Sequence, residues 1–296
     1  MEKIGFSAPY FTDEEKAREY LEKLRWPDVV VCPHCGSREA HYRLQGDAHR
    51  KGLWKCQECR KQFSVTVGTV FERSHIPLHK WLLATYLLCS SKKGMSSHQL
   101  HRTLGVTYKS AWFMAHRIRF AMRQRPTRLL EGIIEADETY VGGKVRGGGT
   151  GRGTDNKTPV FALVERNGKV RSMPVKRVDS VNLKQIIREN VDKSAKIMTD
   201  EFGSYNGLGC EFASHETVCH SAKEYARGDV HTNTVEGYFS LLKRGIIGVY
   251  HHVDSNHLHR YLAEFDMRYN YRHENDATRT VAALKGIEGR RLTYKD

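Results

Sequence analysis

A multidomain fold is predicted: a small cysteine-bearing ribbon, then a helical segment, then an α/β domain on a mixed five-stranded sheet. Three observations predict it. Cysteines come in two Cys-x2-Cys pairs, Cys32/Cys35 and Cys56/Cys59. Downstream, two helical patterns are joined by Gly105-Val106, with Ser96 and Thr107 placed to cap the helices that follow them. Past Pro126 the period of the apolar residues changes from helical to extended, and strand-like and helix-like segments then alternate. The parts run over residues 1–70, 71–127 and 128–275, with 276–296 as a tail.

With 296 residues the chain can bury at least one sizeable core. Its 48 Lys and Arg against 34 Asp and Glu give a formal net charge of +14, which favours a polyanionic partner, nucleic acid before membrane. Met1 to Phe6 lacks the apolar core of a signal peptide, and the longest apolar run, Trp81 to Cys89, is far too short to span a bilayer. A cytoplasmic, nucleoid-associated location is therefore expected. There the seven cysteines would stay reduced, so the paired ones read as metal ligands and not as disulfides.

Taken in order, residues 11–25 form a helix capped by Thr12 or Asp13, with Ala17, Tyr20, Leu21 and Leu24 as its apolar stripe, ended by Trp26-Pro27. The two cysteine pairs then fit a four-thiolate tetrahedral Zn²⁺ site, closed without His34. Short strands are expected at Ala40–Leu44, Leu53–Lys55 and Phe63–Val67. So small a segment has little core, and the metal would supply much of its folding energy. Basic neighbours such as Arg43, Lys51 and Lys55 favour nucleic acid, although a purely structural knuckle with a solvated face would look the same.

Leu78–Ser90 is an apolar helix beginning after Pro77 and broken by Lys92-Lys93-Gly94. Ser96 with Gln99 makes a capping box for a second helix through Leu104, and Thr107 opens a third carrying Ala111, Trp112, Ala115, Ile118 and Met122. Helix, short glycine-containing turn, helix is the pattern of a helix-turn-helix. Thr107, Tyr108, Lys109 and Ser110 at the exposed start of the third helix suit phosphates or base edges, and Arg117 belongs to its basic far end. A helical hairpin acting only as a spacer is the plainer alternative.

Gly132–Val141 reads as a strand with Glu135, Asp137 and Thr139 on one face; an Asp in mid-strand breaks a propensity rule, which points to function. Glu138 should point the other way, leaving Glu135 as the one reserve carboxylate. Residues 142–156 are glycine-rich and basic, and Lys144 and Arg146 could follow a phosphate backbone. Two strands, Pro159–Glu165 and Lys169–Val175, meet at the turn Arg166-Asn167-Gly168. A helix at Asn182–Val191 precedes a strand at Ala195–Thr199 with Asp200 at its carboxyl end, and Phe212–Cys219 holds a fifth strand. Strand, two-strand hairpin, helix, strand, helix, strand, helix suits the ribonuclease-H-like arrangement. There, acids from the first strand, the end of the fourth and a following helix meet, and Asp137, Asp200 and Glu236 occupy those places.

His231–Gly245 is that helix. Val235, Tyr238, Phe239 and Leu242 recur at helical spacing, Gly245 is a natural stop, and Glu236 and Lys243 lie about two turns apart on one side. Taken alone, Asn233 and Glu236 would more readily form a capping box. His215, His220, His231, His251 and His252 suit hydrogen bonds or phosphates better than a metal. Cys89, Cys210 and Cys219 lack knuckle spacing and read as buried or inert. Leu258–Tyr271 is a final packing helix whose Arg260, Arg268 and Arg272 could reach DNA or be solvated.

Over nearly its whole length the chain resembles bacterial insertion-sequence transposases that join an amino-terminal zinc ribbon to a DDE domain. The resemblance rests on the paired knuckles, Ala136-Asp-Glu-Thr-Tyr-Val-Gly-Gly-Lys144, Thr199-Asp-Glu-Phe-Gly-Ser-Tyr205, and His231-Thr-Asn-Thr-Val-Glu236 through Lys243-Arg244. Gly248-Val-Tyr-His-His252 and Arg268-Tyr-Asn-Tyr-Arg272 add to it. It implies Asp137, Asp200 and Glu236 as catalytic acids and Lys243 as the basic residue after the third. Some relatives use Asn as the third ligand, so Asn233 competes with Glu236; the charge of Glu236 and its relation to Lys243 favour it.

The chemistry follows from the residue types. Three clustered carboxylates stay ionised together only beside a cation, and hard oxygen ligands select Mg²⁺ or Mn²⁺. Two such ions about 4 Å apart would flank a phosphate for in-line displacement, first by water and then by the freed 3′-hydroxyl. Expected partners are double-stranded DNA, as terminal inverted repeats and target, and further copies of the chain in a homo-oligomer, with Lys243 and Arg244 on phosphates. The rival readings are a non-catalytic zinc-ribbon DNA-binding regulator derived from a transposase, and a nuclease that cleaves without joining.

Overall fold

The computed structural model describes residues 7–142 and 157–293, which divide into two compact units, 1–123 with 273–296 and 124–272. Lys144 and Arg146 lie outside the described residues. In the first unit, helix α1 (Glu14–Arg25) is capped by Asp13, whose side chain accepts from the Lys16 amide, and its Ala17 and Leu21 are fully buried. Strands β1 (His41–Arg43), β2 (Trp54–Cys56) and β3 (Gln62–Phe63) pair antiparallel in that order. The last strand is shorter than expected, because Val67 already turns back onto the Ser64 carbonyl.

Helices α2 (Leu78–Ser90), α3 (Ser97–Leu104) and α4 (Tyr108–Met122) complete the amino-terminal part of this unit. Ser96 and Thr107 cap α3 and α4 through the Gln99 and Ser110 amides. Gly105 closes α3 in the left-handed region at φ 60°, a conformation that costs a Cβ-bearing residue about 1–2 kcal/mol.

The second unit is organised by a five-stranded sheet of β4 (Ile133–Val141), β5 (Thr158–Glu165), β6 (Val170–Pro174), β7 (Lys196–Asp200) and β8 (Ser214–Val218). Its spatial order is β6-β5-β4-β7-β8, with β4–β5 and β5–β6 antiparallel and β4–β7 and β7–β8 parallel. This is the mixed sheet of a ribonuclease-H-like domain. The β5–β6 hairpin turns at Asn167, φ 59°. Helix α5 (Ser180–Asn190) covers one face, over Ile134, Ala136, Phe161 and Leu163.

The opposite face is covered by α6 (Asn233–Gly245) and α7 (Ser255–Asn270), packed on Val160, Ala162 and Val164. A two-stranded ribbon, β9 (Ala226–Arg227) and β10 (Val230–His231), leads into α6. Gly245 does not stop the chain's helical course: Ile246–Tyr250 continue it as a π-helical turn. The chain then re-enters the first unit. Where a tail was expected, α8 (Asp276–Lys285) packs on α2 and α4. A Cβ at Gly286 would lie 2.2 Å from the Ala121 carbonyl oxygen, so only glycine allows this approach. Among the described residues no helix is long and apolar enough to cross a membrane.

Candidate metal centres and nucleic-acid interface

The four cysteines of the ribbon converge. Their sulfurs lie within 4.8 Å of one another, with Cys32–Cys59 and Cys35–Cys56 at 3.7 Å. A tetrahedron of thiolates about 2.3 Å from zinc has edges of about 3.8 Å, so the donor set fits that ion. Backbone amides help the ionised form: the Cys59 amide holds Cys56, and the Lys61 amide holds Cys59, below the usual thiol range. His34 turns to the Gln62 carbonyl and stays out of the centre. Of the remaining cysteines Cys89 is buried, Cys219 is half-buried and Cys210 is exposed.

The second site is built by strand alternation and register. β4 and β7 pair with Glu135 opposite Met198, and two further residues along both strands bring Asp137 level with Asp200. Met198 and Val218 pack with Val230, while Ile197 and Ala136 belong to the α5 face. Asp137 and Asp200 thus belong to the face covered by α6, whose first turn carries Glu236.

Asp137 feels the charge of the other two acids. Asp137 is pushed up to about 8, first by burial and then by the charge of Glu138, with Asp200 and Glu236 adding to it. Burial likewise raises Asp200, and the neighbouring Glu201 adds to it. Repulsion of this kind at Asp137 marks an oxygen donor set that a divalent cation would relieve. Among the described residues only the four cysteines gather three or more ligand atoms within 4.8 Å, so the acids are spread more widely than the thiols.

Local contacts orient these carboxylates. The Thr232 hydroxyl, from a fully enclosed side chain, donates to Glu236 Oε1 at 2.9 Å. Thr232 is also the N-cap of α6, so Asn233 and Glu236 form no capping box. Asn233 is exposed at the first helical position. The amides of Phe202 and Glu138 donate to Asp200 and Asp137 respectively. Glu138 does point away, where it accepts from the buried Tyr205 hydroxyl at 2.5 Å, although its charge still reaches Asp137.

Sequence reasoning did not single out the turn after β8. Glu201 accepts from the His220 and Ser221 amides, and the Ser221 amide foremost holds its carboxyl down at about 2. This brings His220 Nε2 to 3.7 Å from Glu236 Oε1. His215 instead meets the Thr199 hydroxyl on the other face. Nothing in local periodicity could have signalled these contacts, because the partners come from separate strands.

The reserve carboxylate is not available to a metal. Glu135 is fully buried and both its oxygens are engaged by Arg166, Thr234 and Val235. Of the basic residues, Lys243 and Arg244 are exposed near the end of α6. Thr107, Tyr108 and Lys109 are exposed at the start of α4, with Ser110 half-buried and Tyr108 stacked on His98 at 4.2 Å. Arg117 does not join them. It is buried, donates to the Glu72 and Leu292 carbonyls, and lies over the Trp81 and Phe113 rings, so its guanidinium serves the fold. Arg268 pairs with Glu264, Arg260 is buried and Arg272 donates to the Gly168 carbonyl, so the α7 arginines are likewise engaged within the unit.

A thiolate ribbon followed by a ribonuclease-H-like sheet with acids on adjoining strands places the chain among the insertion-sequence transposases. Residues 12–62 match the transposase zinc-ribbon domain, and residues 129–270 match the ISXO2-like transposase domain. The chain is 31% identical over 274 residues to a protein of Halobacterium salinarum described as an uncharacterized protein in transposable element ISH50, covering 87% of this chain and 91% of that one. The chain therefore belongs to the ISXO2-like insertion-sequence transposase family. Solved structures with some similarity are a pre-cleavage Mos1 transpososome, at 13% identity and TM-score 0.27 over 65% of this chain and 71% of that one, and a Mos1 transposase paired-end complex, at 13% identity and TM-score 0.22 over 67% and 78%. Both are too distant to bear on the site.

Proposed function

We propose that this transposase binds the ends of its insertion sequence and catalyses strand cleavage and strand transfer by in-line phosphoryl transfer. The observation that carries the reading is the strand register that sets Asp137 of β4 level with Asp200 of β7 on the face covered by α6, whose first turn carries Glu236. These residues would hold Mg²⁺ or Mn²⁺, which when bound supplies charge neutralisation and Lewis acidity to the reacting phosphate. Glu236 serves as the third acid because Thr232 fixes its carboxylate, while Asn233 is left without such an anchor. Lys243, two turns along the same helix, offers an ammonium to a backbone phosphate near the element end. Water first displaces the 3′-oxygen of the element end, and the freed hydroxyl then attacks target DNA; neither step needs a covalent enzyme intermediate.

The ribbon and the start of α4 supply recognition. Thr107, Tyr108 and Lys109 present hydroxyls, an aromatic ring and a charge at a helix N-terminus, suited to phosphates and base edges. Joining two ends calls for at least two copies of the chain acting together.

The test is a cleavage and strand-transfer assay on labelled duplex bearing the sequence that flanks the gene, with Mg²⁺ or Mn²⁺. Asp200→Ala and Glu236→Gln should each lower cleavage by about a thousandfold or more while binding persists. Tight, end-specific binding with no cleavage by the wild type would replace the reading with that of a DNA-binding regulator. Activity that survives Glu236→Gln but not Asn233→Ala would reassign the third ligand.

A further inference from the structure

Glu135 sits two residues before Asp137 in a strand flanked by apolar neighbours, and its side chain is fully buried. Burying a carboxylate in such a place is costly unless every oxygen lone pair is met. Here they are. Arg166 Nε donates to Oε1 at 2.6 Å and the Thr234 hydroxyl at 2.8 Å; the amides of Thr234 and Val235 donate to Oε2 at 2.7 and 2.9 Å. The two amides belong to the first turn of α6, and the side chain of its N-cap, Thr232, accepts from neither of them. Glu135 therefore does from across the sheet what a capping side chain does from within a helix.

Arg166 widens the grip. It stands in the β5–β6 turn, and its other nitrogens donate to the Asp229 carbonyl at 2.7 Å and to the carbonyl and Nδ1 of His231 at 2.9 Å. One ion pair thus ties β4, the hairpin turn, the ribbon before α6 and the first turn of α6. The residue after Val235 is Glu236.

We propose that Glu135, held by Arg166, is the positioning residue of this site: it fixes the first turn of α6 against β4, and with it the placement of Glu236 relative to Asp137. The inference rests on the catalytic reading above. It explains why a charge stands in a strand position that an apolar side chain would fill at less cost, since an apolar residue would leave the α6 amides and the Arg166 Nε without an acceptor. It also distinguishes Glu135 from a ligand, because no lone pair is left for a cation.

The experiment compares the full-length wild type with Glu135→Gln, Thr234→Val and Glu236→Gln. Each is measured for thermal midpoint, affinity for the element-end duplex, Mn²⁺ affinity by calorimetry and cleavage rate of the folded fraction. Glu135→Gln keeps the shape but turns an amide toward Arg166. The expected result is a fall of about a hundredfold in cleavage and about tenfold or more in Mn²⁺ affinity, with duplex affinity changed less than about twofold. Thr234→Val, which is isosteric and loses only the hydroxyl donor, should move both quantities in the same direction by less, and it decides the matter if Glu135→Gln does not fold. A merely structural role would lower the thermal midpoint and leave the folded fraction with wild-type rate and Mn²⁺ affinity. That result, beside an inactive Glu236→Gln, overturns the positioning role and leaves the catalytic reading standing. A Glu236→Gln protein that cleaves like the wild type overturns the catalytic reading, and the positioning role with it.

Discussion

Replacing Asp266 with Asn should remove a pH dependence from the stability of the second unit. Asp266 lies on α7 and accepts from the Ser172 amide at 2.9 Å and from the Ser172 and Tyr238 hydroxyls at 2.6 Å, so it links α7, β6 and the helix that carries Glu236. Burial pushes its carboxyl up from 3.8 to about 7, against the pull of these three donors. The sign follows from proton binding. Between those two values the folded chain holds a proton that the unfolded chain has released, so stability falls as pH rises from about 4 to about 7 and levels off above. The whole gap corresponds to at most about 4 kcal/mol. Since the residue as a whole is only partly buried, solvent screening brings this nearer to about 2–3 kcal/mol.

The assay is urea unfolding of wild type and Asp266→Asn across pH 4 to 8. All four tryptophans, Trp26, Trp54, Trp81 and Trp112, lie in the first unit, so the second is followed as the tyrosine near-ultraviolet circular dichroism change that is not accompanied by a change in tryptophan emission. Taking the difference between the two proteins removes the titration of every other acid. Asn accepts only at one oxygen, so the variant should start less stable at pH 4 and close or reverse the gap by pH 8. Parallel profiles, with a constant difference across that range, would refute this account of the buried carboxyl.

The other three predictions concern the first unit. Chelating zinc, or Cys56→Ser, should abolish binding of about one metal per chain and unfold β1–β3, read as a red shift of Trp54 emission, because strands this short have little else to hold them. Arg117→Ala should destabilise the unit by about 2–4 kcal/mol by stranding the Glu72 and Leu292 carbonyls, and leave the salt dependence of DNA binding of the folded protein unchanged. Lys109→Ala, at an exposed position, should reduce the salt slope of duplex binding of the folded protein by about one. A lowered slope for Arg117→Ala at wild-type stability would return that residue to the interface.

Much of this was legible in the sequence because it is written in local chemistry. Ser96, Thr107 and Asp13 cap the helices they precede, since a side-chain oxygen reaches an amide only a few residues away. The knuckle spacing named its four thiolates, because zinc accepts few other geometries. Strand alternation put Asp137 and Glu138 on opposite faces, and the carboxyl end of β7 held Asp200 as a sheet of this kind requires.

What tertiary structure decided are the roles of charges with equivalent local patterns. Glu135 and Asp137 share a strand face, yet one is saturated by Arg166 and the start of α6 while the other senses Glu138, Asp200 and Glu236. Arg117 and Lys109 share a basic helix, yet one is buried under two aromatic rings and the other is exposed. The cap of α6 went to Thr232 and Glu135 rather than Asn233, and α8 formed where a tail was expected, because α2 and α4 offer it a surface to bury against. Periodicity sets the face on which a side chain stands. Whether a charge on that face is matched inside the fold or left for a cation or a phosphate depends on partners brought in by distant parts of the chain, which sequence order does not reveal.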